Sequence, residues 1–214
     1  MADLGRADYF CSVKSIAVFC GSNPGKKPVF METAYELGRI LAGKGIRVIY
    51  GGARVGLMGA VANGALAAGG EVIGVIPDFL REKELAHDEL TELVVVEDMH
   101  TRKMKMHELS DGLIALPGGF GTLEELFEMV TWAQLGLHEK PMGVLNIEGY
   151  YSALKELADG LRDNGFVVPE HRAMLLVNED ISGLLESMEA YKAPRLEKFW
   201  EDPDSGQSIG LEQT

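Results

Sequence analysis

Cysteine, histidine and positive charge are all scarce in this chain, and each scarcity removes a class of function. Its 214 residues include two cysteines, Cys11 and Cys20. Cys20 closes an apolar run read as a buried strand, so free thiols are expected rather than a disulfide framework, and with them a reducing, cytoplasmic setting. The five histidines form no H-E-x-x-H pair and meet no cysteine cluster. His100 and His107 could share a helix face, but the pattern predicts no metal. Lys and Arg number 20 against 33 Asp and Glu, a net charge of −13. That balance excludes a surface for wrapping nucleic acid and one for docking on anionic lipid, while leaving room for a local basic pocket around one phosphate. No apolar run is long enough to span a bilayer, and the first residues lack the basic-then-apolar order of a signal peptide. Also missing are the dinucleotide fingerprint G-x-G-x-x-G, a P-loop lysine and a G-x-S-x-G nucleophile elbow. Ser22 therefore reads as a turn or ligand-contacting hydroxyl rather than as a nucleophile.

What is present is a regular alternation. Ser15 to Cys20, Arg47 to Tyr50, Glu71 to Ile76, Glu92 to Val96, Gly112 to Leu116, Lys140 to Leu145 and Leu175 to Val177 are short apolar runs of the kind buried on both faces of a sheet. Between them, Pro28 to Lys44, Gly56 to Ala68, Asp98 to Ser110, the stretch after Gly121 to Leu135, Tyr150 to Asn164 and Asp180 to Ala190 read as helices. Strand alternating with helix predicts an α/β, doubly wound parallel sheet with helices on both faces. No repeat or linker divides the chain. Residues 1–14 are expected to form an N-terminal arm, 15–191 a single nucleotide-binding domain, and 192–214 an acidic, flexible tail. Ligands in such sheets sit at the carboxyl ends of the strands, and every glycine-rich stretch falls there: Gly21–Gly25, Gly51–Gly59 and Gly118–Gly121.

The densest of these is Leu116-Pro117-Gly118-Gly119-Phe120-Gly121-Thr122-Leu123-Glu124-Glu125. A strand, a turn with three glycines and a new helix are the physical recipe for holding a phosphate. The backbone approaches closely, and the helix aims unpaired N–H groups and a partial positive charge at the turn. A plainer reading is a tight connection with Thr122 as N-cap and Thr122-Leu123-Glu124-Glu125 as a capping box. Glu124, Glu125 and Glu128 suit a helix start through the dipole alone. A carboxylate beside a phosphate would nevertheless be repelled unless it had a task, and acid–base work on the attached sugar is one. Arg102-Lys103 reads either as a solvated surface pair or as a clamp on ribose or phosphate, since it follows a strand end on the same rim. Met58, Met99, Met104 and Met106 read as core or rim packing.

These residues carry a resemblance. Pro117–Glu125 fits the signature PGGxGTxxE, Met99-His100-Thr101-Arg102-Lys103 fits the accompanying M-H-x-R-K stretch, and Cys20-Gly21-Ser22, Gly51–Gly59 and Thr131–Gly136 fit the remaining blocks. From about Ser15 to Ala190 the chain resembles the LOG ("lonely guy") family of cytokinin riboside 5′-monophosphate phosphoribohydrolases. The resemblance implies a Rossmann-like fold, a homodimer or higher homo-oligomer with active sites near the interface, and no metal or redox cofactor. It implies hydrolysis of the N-glycosidic bond of an N6-substituted adenosine 5′-monophosphate. Arg102 and Glu125 would be the catalytic pair. Substrate would be held by Gly118, Gly119, Phe120, Gly121, Thr122, Leu123 and Glu124, with Lys103 assisting and Ser22, Gly52, Glu84 and Thr131 as further contacts. A general AMP nucleosidase, or a nucleotide-binding carrier without turnover, remains an alternative on the same fold.

Overall fold

The computed structural model describes residues 13–81, 86–194, 199–201 and 208–210, the last two stretches by backbone alone. Seven strands form one sheet: β1 Ser15–Phe19, β2 Arg47–Tyr50, β3 Val72–Pro77, β4 Glu92–Val96, β5 Gly112–Ala115, β6 Met142–Leu145 and β7 Leu175–Asn178. Their order is β4-β3-β2-β1-β5-β6-β7, and every pairing in it is parallel. This is the expected doubly wound, Rossmann-like α/β architecture. From β1 the chain builds outward to β4, then returns to lay β5 against the other side of β1. The sheet reverses direction there, and the gap between the carboxyl ends of β1 and β5 is where such sheets take a ligand.

Burial of both faces explains the apolar runs. On β1, Ile16 and Val18 join one core with α1 (Pro28–Gly43), α2 (Gly56–Ala67) and α8 (Ile181–Glu189). Ala17 and Phe19 alternate into a second core with Met106 of α4 (Met99–Glu108) and Met129 and Ala133 of α5 (Phe120–Gln134). This is the period of two that a strand imposes. α1 and α2 pack backbone against backbone. A Cβ on Gly38 would lie 2.0 Å from the Val61 carbonyl oxygen, and one on Gly64 1.9 Å from that of Tyr35. The small residues of α2 are therefore a packing requirement.

Three differences from the sequence pattern stand out. Short helices α3 (Asp78–Arg81) and α7 (Pro169–Ala173) occupy segments too brief to show a period. α6 spans Ser152–Asp163; Tyr150 precedes it, where the chain leaves a 3-10 turn over Ile147–Gly149. In the expected tail, Phe199–Glu201 (β8) pairs antiparallel with Ser208–Gly210 (β9), with Trp200 in register with Ile209. Residues 1–12 and the rest of 195–214 lie outside the described residues, and with them Cys11 and most of the expected arm and tail.

Candidate active site

Two loops meet at the β1/β5 junction. The Gly21 N–H, just past β1, donates to the Pro117 carbonyl, just past β5, at 3.0 Å. A Cβ on Gly21 would lie 3.3 Å from the Gly118 Cα. Above this junction opens a cleft of about 420 Å³. Its floor and one wall are Cys20–Asn23, Pro117–Gly119, Gly121 and Thr122, and Arg102 and Glu125 face the same space. Phe30, Leu57, Met58, Leu80, Met99 and Tyr150 supply a largely apolar remainder.

The glycine turn works through close approach rather than unusual dihedral angles. None of Gly118, Gly119 and Gly121 has a positive φ. A Cβ on Gly118 would lie 2.1 Å from the Thr122 Oγ1, so a side chain there collides with the helix start. At Gly119 and Gly121 a Cβ would meet nothing within 4 Å, leaving their backbone open to an incoming group. The helix begins at Phe120 with Gly119 as N-cap and no side-chain cap. Thr122 is thus a buried residue inside the first turn, not the N-cap, and the capping box does not form. The reason is steric: packing Thr122 against bare Gly118 starts the helix three residues earlier than a Thr122 cap would.

α1, α2, α6 and α7 likewise begin without a side-chain cap, whereas α4 and α8 carry one. α4 is capped by the Asp98 carboxylate, which accepts from the Thr101 N–H at 2.7 Å. Asp180 caps α8 through Gly183 at 2.8 Å. In α2, the Leu57 and Met58 N–H groups donate to the Gly21 carbonyl at 3.1 and 3.4 Å. The first turns of α2 and α4 reach the same cleft through Leu57, Met58 and Met99; α5 meets it through Gly121 and Thr122 with no side-chain cap, an arrangement that suits an anion. Glu125 lies four residues beyond Gly121, on the same face and about 6 Å deeper along the axis. That offset is comparable to the separation of a 5′-phosphate from C1′ of its ribose.

Arg102 is 3% exposed. Its Nε donates to the Val75 carbonyl at 3.0 Å and its Nη2 to the Gly51 carbonyl at 2.8 Å, so β2 and β3 hold the guanidinium at their carboxyl ends. Glu125 is 6% exposed. Cys20 lines the same cleft and feels both charges. Burial, and then the Glu125 charge, push its thiol far above the usual range against the opposing pull of Arg102. The thiol stays protonated and is not a nucleophile.

Several expected contacts do not line this cleft. Lys103 turns to the flank of α5, where its ammonium pairs with Glu124 and, at 2.9 Å, with Glu128. Phe120 is 93% exposed on the outer face, Glu124 sits beside it, Leu123 packs against the core, and Thr131 spends its hydroxyl on the Phe127 carbonyl at 2.8 Å. Gly52 is buried beneath the rim, with φ +81° against Ile76 and Leu93. Glu84 lies outside the described residues. Ser22, Gly118, Gly119, Gly121 and Thr122 do come together with Arg102 and Glu125. His107 packs away from the cleft, edge-on to Trp132 and 4.9 Å from the His138 ring. Burial, aided by the Lys140 charge, holds its imidazole down at about 4, so it is neutral near pH 7.

The pattern reading missed Tyr150 and Phe30 as cleft residues. The Tyr150 hydroxyl donates to the Gly118 carbonyl at 2.6 Å, and its ring meets Phe30 edge-on with centroids 5.6 Å apart. One signal was available: Tyr150 follows a strand in a parallel sheet, and loops after such strands converge on the ligand side.

A family model described as "Possible lysine decarboxylase" matches residues 58–188. The chain is 44% identical over 206 residues to a cytokinin riboside 5′-monophosphate phosphoribohydrolase of Arabidopsis thaliana, covering 94% of both proteins. It is 49% identical over 176 residues to the protein of that name from Rhodococcoides fascians, covering 82% of this chain and 89% of that one. Among solved structures, the molybdenum cofactor binding protein of Rippkaea orientalis superposes with a TM-score of 0.61 at 25% identity, over 82% of this chain and 95% of that one. The molybdenum cofactor carrier protein of Chlamydomonas reinhardtii has the same fold, with a TM-score of 0.60 at 21% identity, over 81% and 94%.

Proposed function

The chain belongs to the LOG family, and from that membership we propose that its cleft hydrolyses the N-glycosidic bond of N6-substituted adenosine 5′-monophosphates. The products are the free base, an active cytokinin, and ribose 5-phosphate. One observation carries the reading: an uncapped helix start and a buried carboxylate one turn deeper open into the same cleft.

The phosphate sits at the first turn of α5, on the backbone of Gly118–Thr122, with the Ser22 hydroxyl opposite. Anchoring it aligns the sugar and supplies binding energy remote from the reacting bond. As C1′–N9 breaks, its electron pair leaves with the base and the ribose gains oxocarbenium character. Glu125 faces that charge, takes the proton of the water that attacks C1′ and returns it to the purine nitrogen, so the base leaves neutral and the carboxylate is restored. Arg102, fixed by two backbone carbonyls, sets a positive charge beside the carboxylate and the departing base. The apolar wall of Leu57, Met58, Leu80 and Met99 suits an alkylated purine. The deciding assay is chromatographic detection of free base from isopentenyladenosine 5′-monophosphate, from its riboside, and from AMP. Isopentenyladenine released only from the monophosphate is the expected result. Adenine released from AMP at a similar rate makes the protein a general AMP nucleosidase. No base, with AMP binding intact, makes it a carrier.

The assembly is a homodimer, or a larger homo-oligomer built on it, through the outer face of α5. Phe120, Phe127 and Leu135 form an exposed apolar stripe at helical spacing, with Glu124 and Thr131 between them. Three residues that the family resemblance assigns to substrate but that miss this cleft, Phe120, Glu124 and Thr131, sit on that stripe, as expected where sites lie near an interface. Sedimentation equilibrium should give a dimer mass that Phe127→Glu reduces to the monomer's; a wild-type monomer at micromolar concentration would end this reading. The protein acts in the cytoplasm, a setting that suits the buried free thiol of Cys20. No helix among the described residues is long and apolar enough to cross a membrane.

A further inference from the structure

The phosphate turn contains two adjacent glycines, and this raises a physical difficulty. The Gly118–Gly119 peptide plane is flanked on both sides by residues with no Cβ, so it can turn over at little steric cost. One orientation offers the Gly119 N–H to an anion. The other presents the Gly118 carbonyl and repels it. A cradle made of backbone donors works only if this plane is held.

The neighbouring turn supplies the holding group. A trans peptide carries its C=O and its N–H on opposite sides. The Tyr150 hydroxyl donates to the Gly118 carbonyl at 2.6 Å, and this bond fixes the Gly119 N–H on the other side. The preceding peptide is fixed in the same way, since the Gly21 N–H holds the Pro117 carbonyl at 3.0 Å. Tyr150 is itself firmly placed. Glu148 and Gly149 have φ of +51° and +73°, which swings the chain sharply back after β6. A left-handed glutamate persists only where its surroundings over-determine it. Here Glu148 pairs with Lys27 at 3.0 Å, and the buried Asn146 side chain accepts from the Tyr151 N–H at 2.6 Å. The ring of Tyr150 rests edge-on against both Phe30 and Tyr151. Tyr151 makes the parallel bond one step deeper, its hydroxyl on the Leu116 carbonyl at 2.6 Å. The residue after Leu116 is Pro117, which has no N–H to aim, so that second bond serves the core alone.

We infer that Tyr150 is a positioning residue for the substrate's phosphomonoester: its hydroxyl latches the Gly118–Gly119 peptide in the orientation that presents a donor to the anion. The inference rests on the phosphate-anchoring reading above, and the test separates the two. Titration calorimetry with ribose 5-phosphate and with inorganic phosphate is run on wild type, Tyr150→Phe and Tyr151→Phe, alongside thermal melts and steady-state kinetics on the monophosphate. Tyr150→Phe keeps the ring packing and loses one hydroxyl. It should weaken both phosphate probes and raise KM roughly tenfold, the scale of one hydrogen bond, with the loss falling on KM more than on kcat and the melting temperature preserved. Tyr151→Phe should lower the melting temperature and leave ribose 5-phosphate affinity near wild type. Equal phosphate affinity in wild type and Tyr150→Phe overturns the latch, as does an affinity loss matched by Tyr151→Phe at the same loss of stability. Failure of wild type to bind either probe overturns the anchoring reading and the latch with it.

Discussion

Glu125→Gln is expected to lower turnover of the monophosphate by roughly 10²–10⁴-fold, the range for loss of a positioned acid–base group, while AMP still binds. The substitution is nearly isosteric at a position 6% exposed, so the helix start and its donors stay in place. What disappears is the negative charge facing C1′ and the capacity to accept a proton from water. Binding of the phosphate should improve slightly, because a carboxylate near the anion is removed. Single-turnover kinetics with a parallel AMP titration make the check. A variant with near-normal turnover would return Glu125 to the role of a helix-dipole partner. One that neither turns over nor binds would mean the side chain is needed to build the cleft.

Arg102→Ala is expected to damage both activity and fold. Its guanidinium is the donor to two backbone carbonyls at the ends of β2 and β3, Gly51 at 2.8 Å and Val75 at 3.0 Å. Truncation strands those acceptors in a buried setting, at about 1–3 kcal/mol each. For a domain of this size the melting temperature should fall by roughly 5–15 °C. Turnover should fall as well, since the positive charge beside Glu125 is gone. Arg102→Lys separates the two effects. Lysine keeps the charge but has no planar fork to span both carbonyls, so it should recover part of the stability and little of the rate. Calorimetry with the base-release assay decides the matter: an unchanged melting temperature and rate in Arg102→Ala would make the residue dispensable to both fold and chemistry.

The plan of the fold was legible because both faces of every central strand are buried. Short apolar runs such as Ser15–Phe19 have no other stable place in a globule of this size. The location of the site was legible too, since glycine loops follow the strands at their carboxyl ends. Thr122 misled because Thr-x-x-Glu is a genuine capping pattern. Thr122 is buried against Gly118, and this burial outweighed the capping preference. The bond made by Tyr150 was hidden for a related reason: its partner Gly118 lies 32 residues away, and no periodicity links a hydroxyl to a carbonyl at that distance.

The sequence by itself thus determined the strand–helix alternation, the glycine-rich turn at a strand end and the carboxylate one turn beyond it, because each depends on spacing within a few residues. Only the tertiary structure decided which member of each adjacent charged pair enters the cleft. Successive residues on a helix point about 100° apart, so Arg102 and Lys103 cannot both face one cavity, nor can Glu124 and Glu125. The packing of α4 and α5 on the sheet rotated Arg102 and Glu125 inward and left Lys103 to pair with Glu124 and Glu128 on the flank.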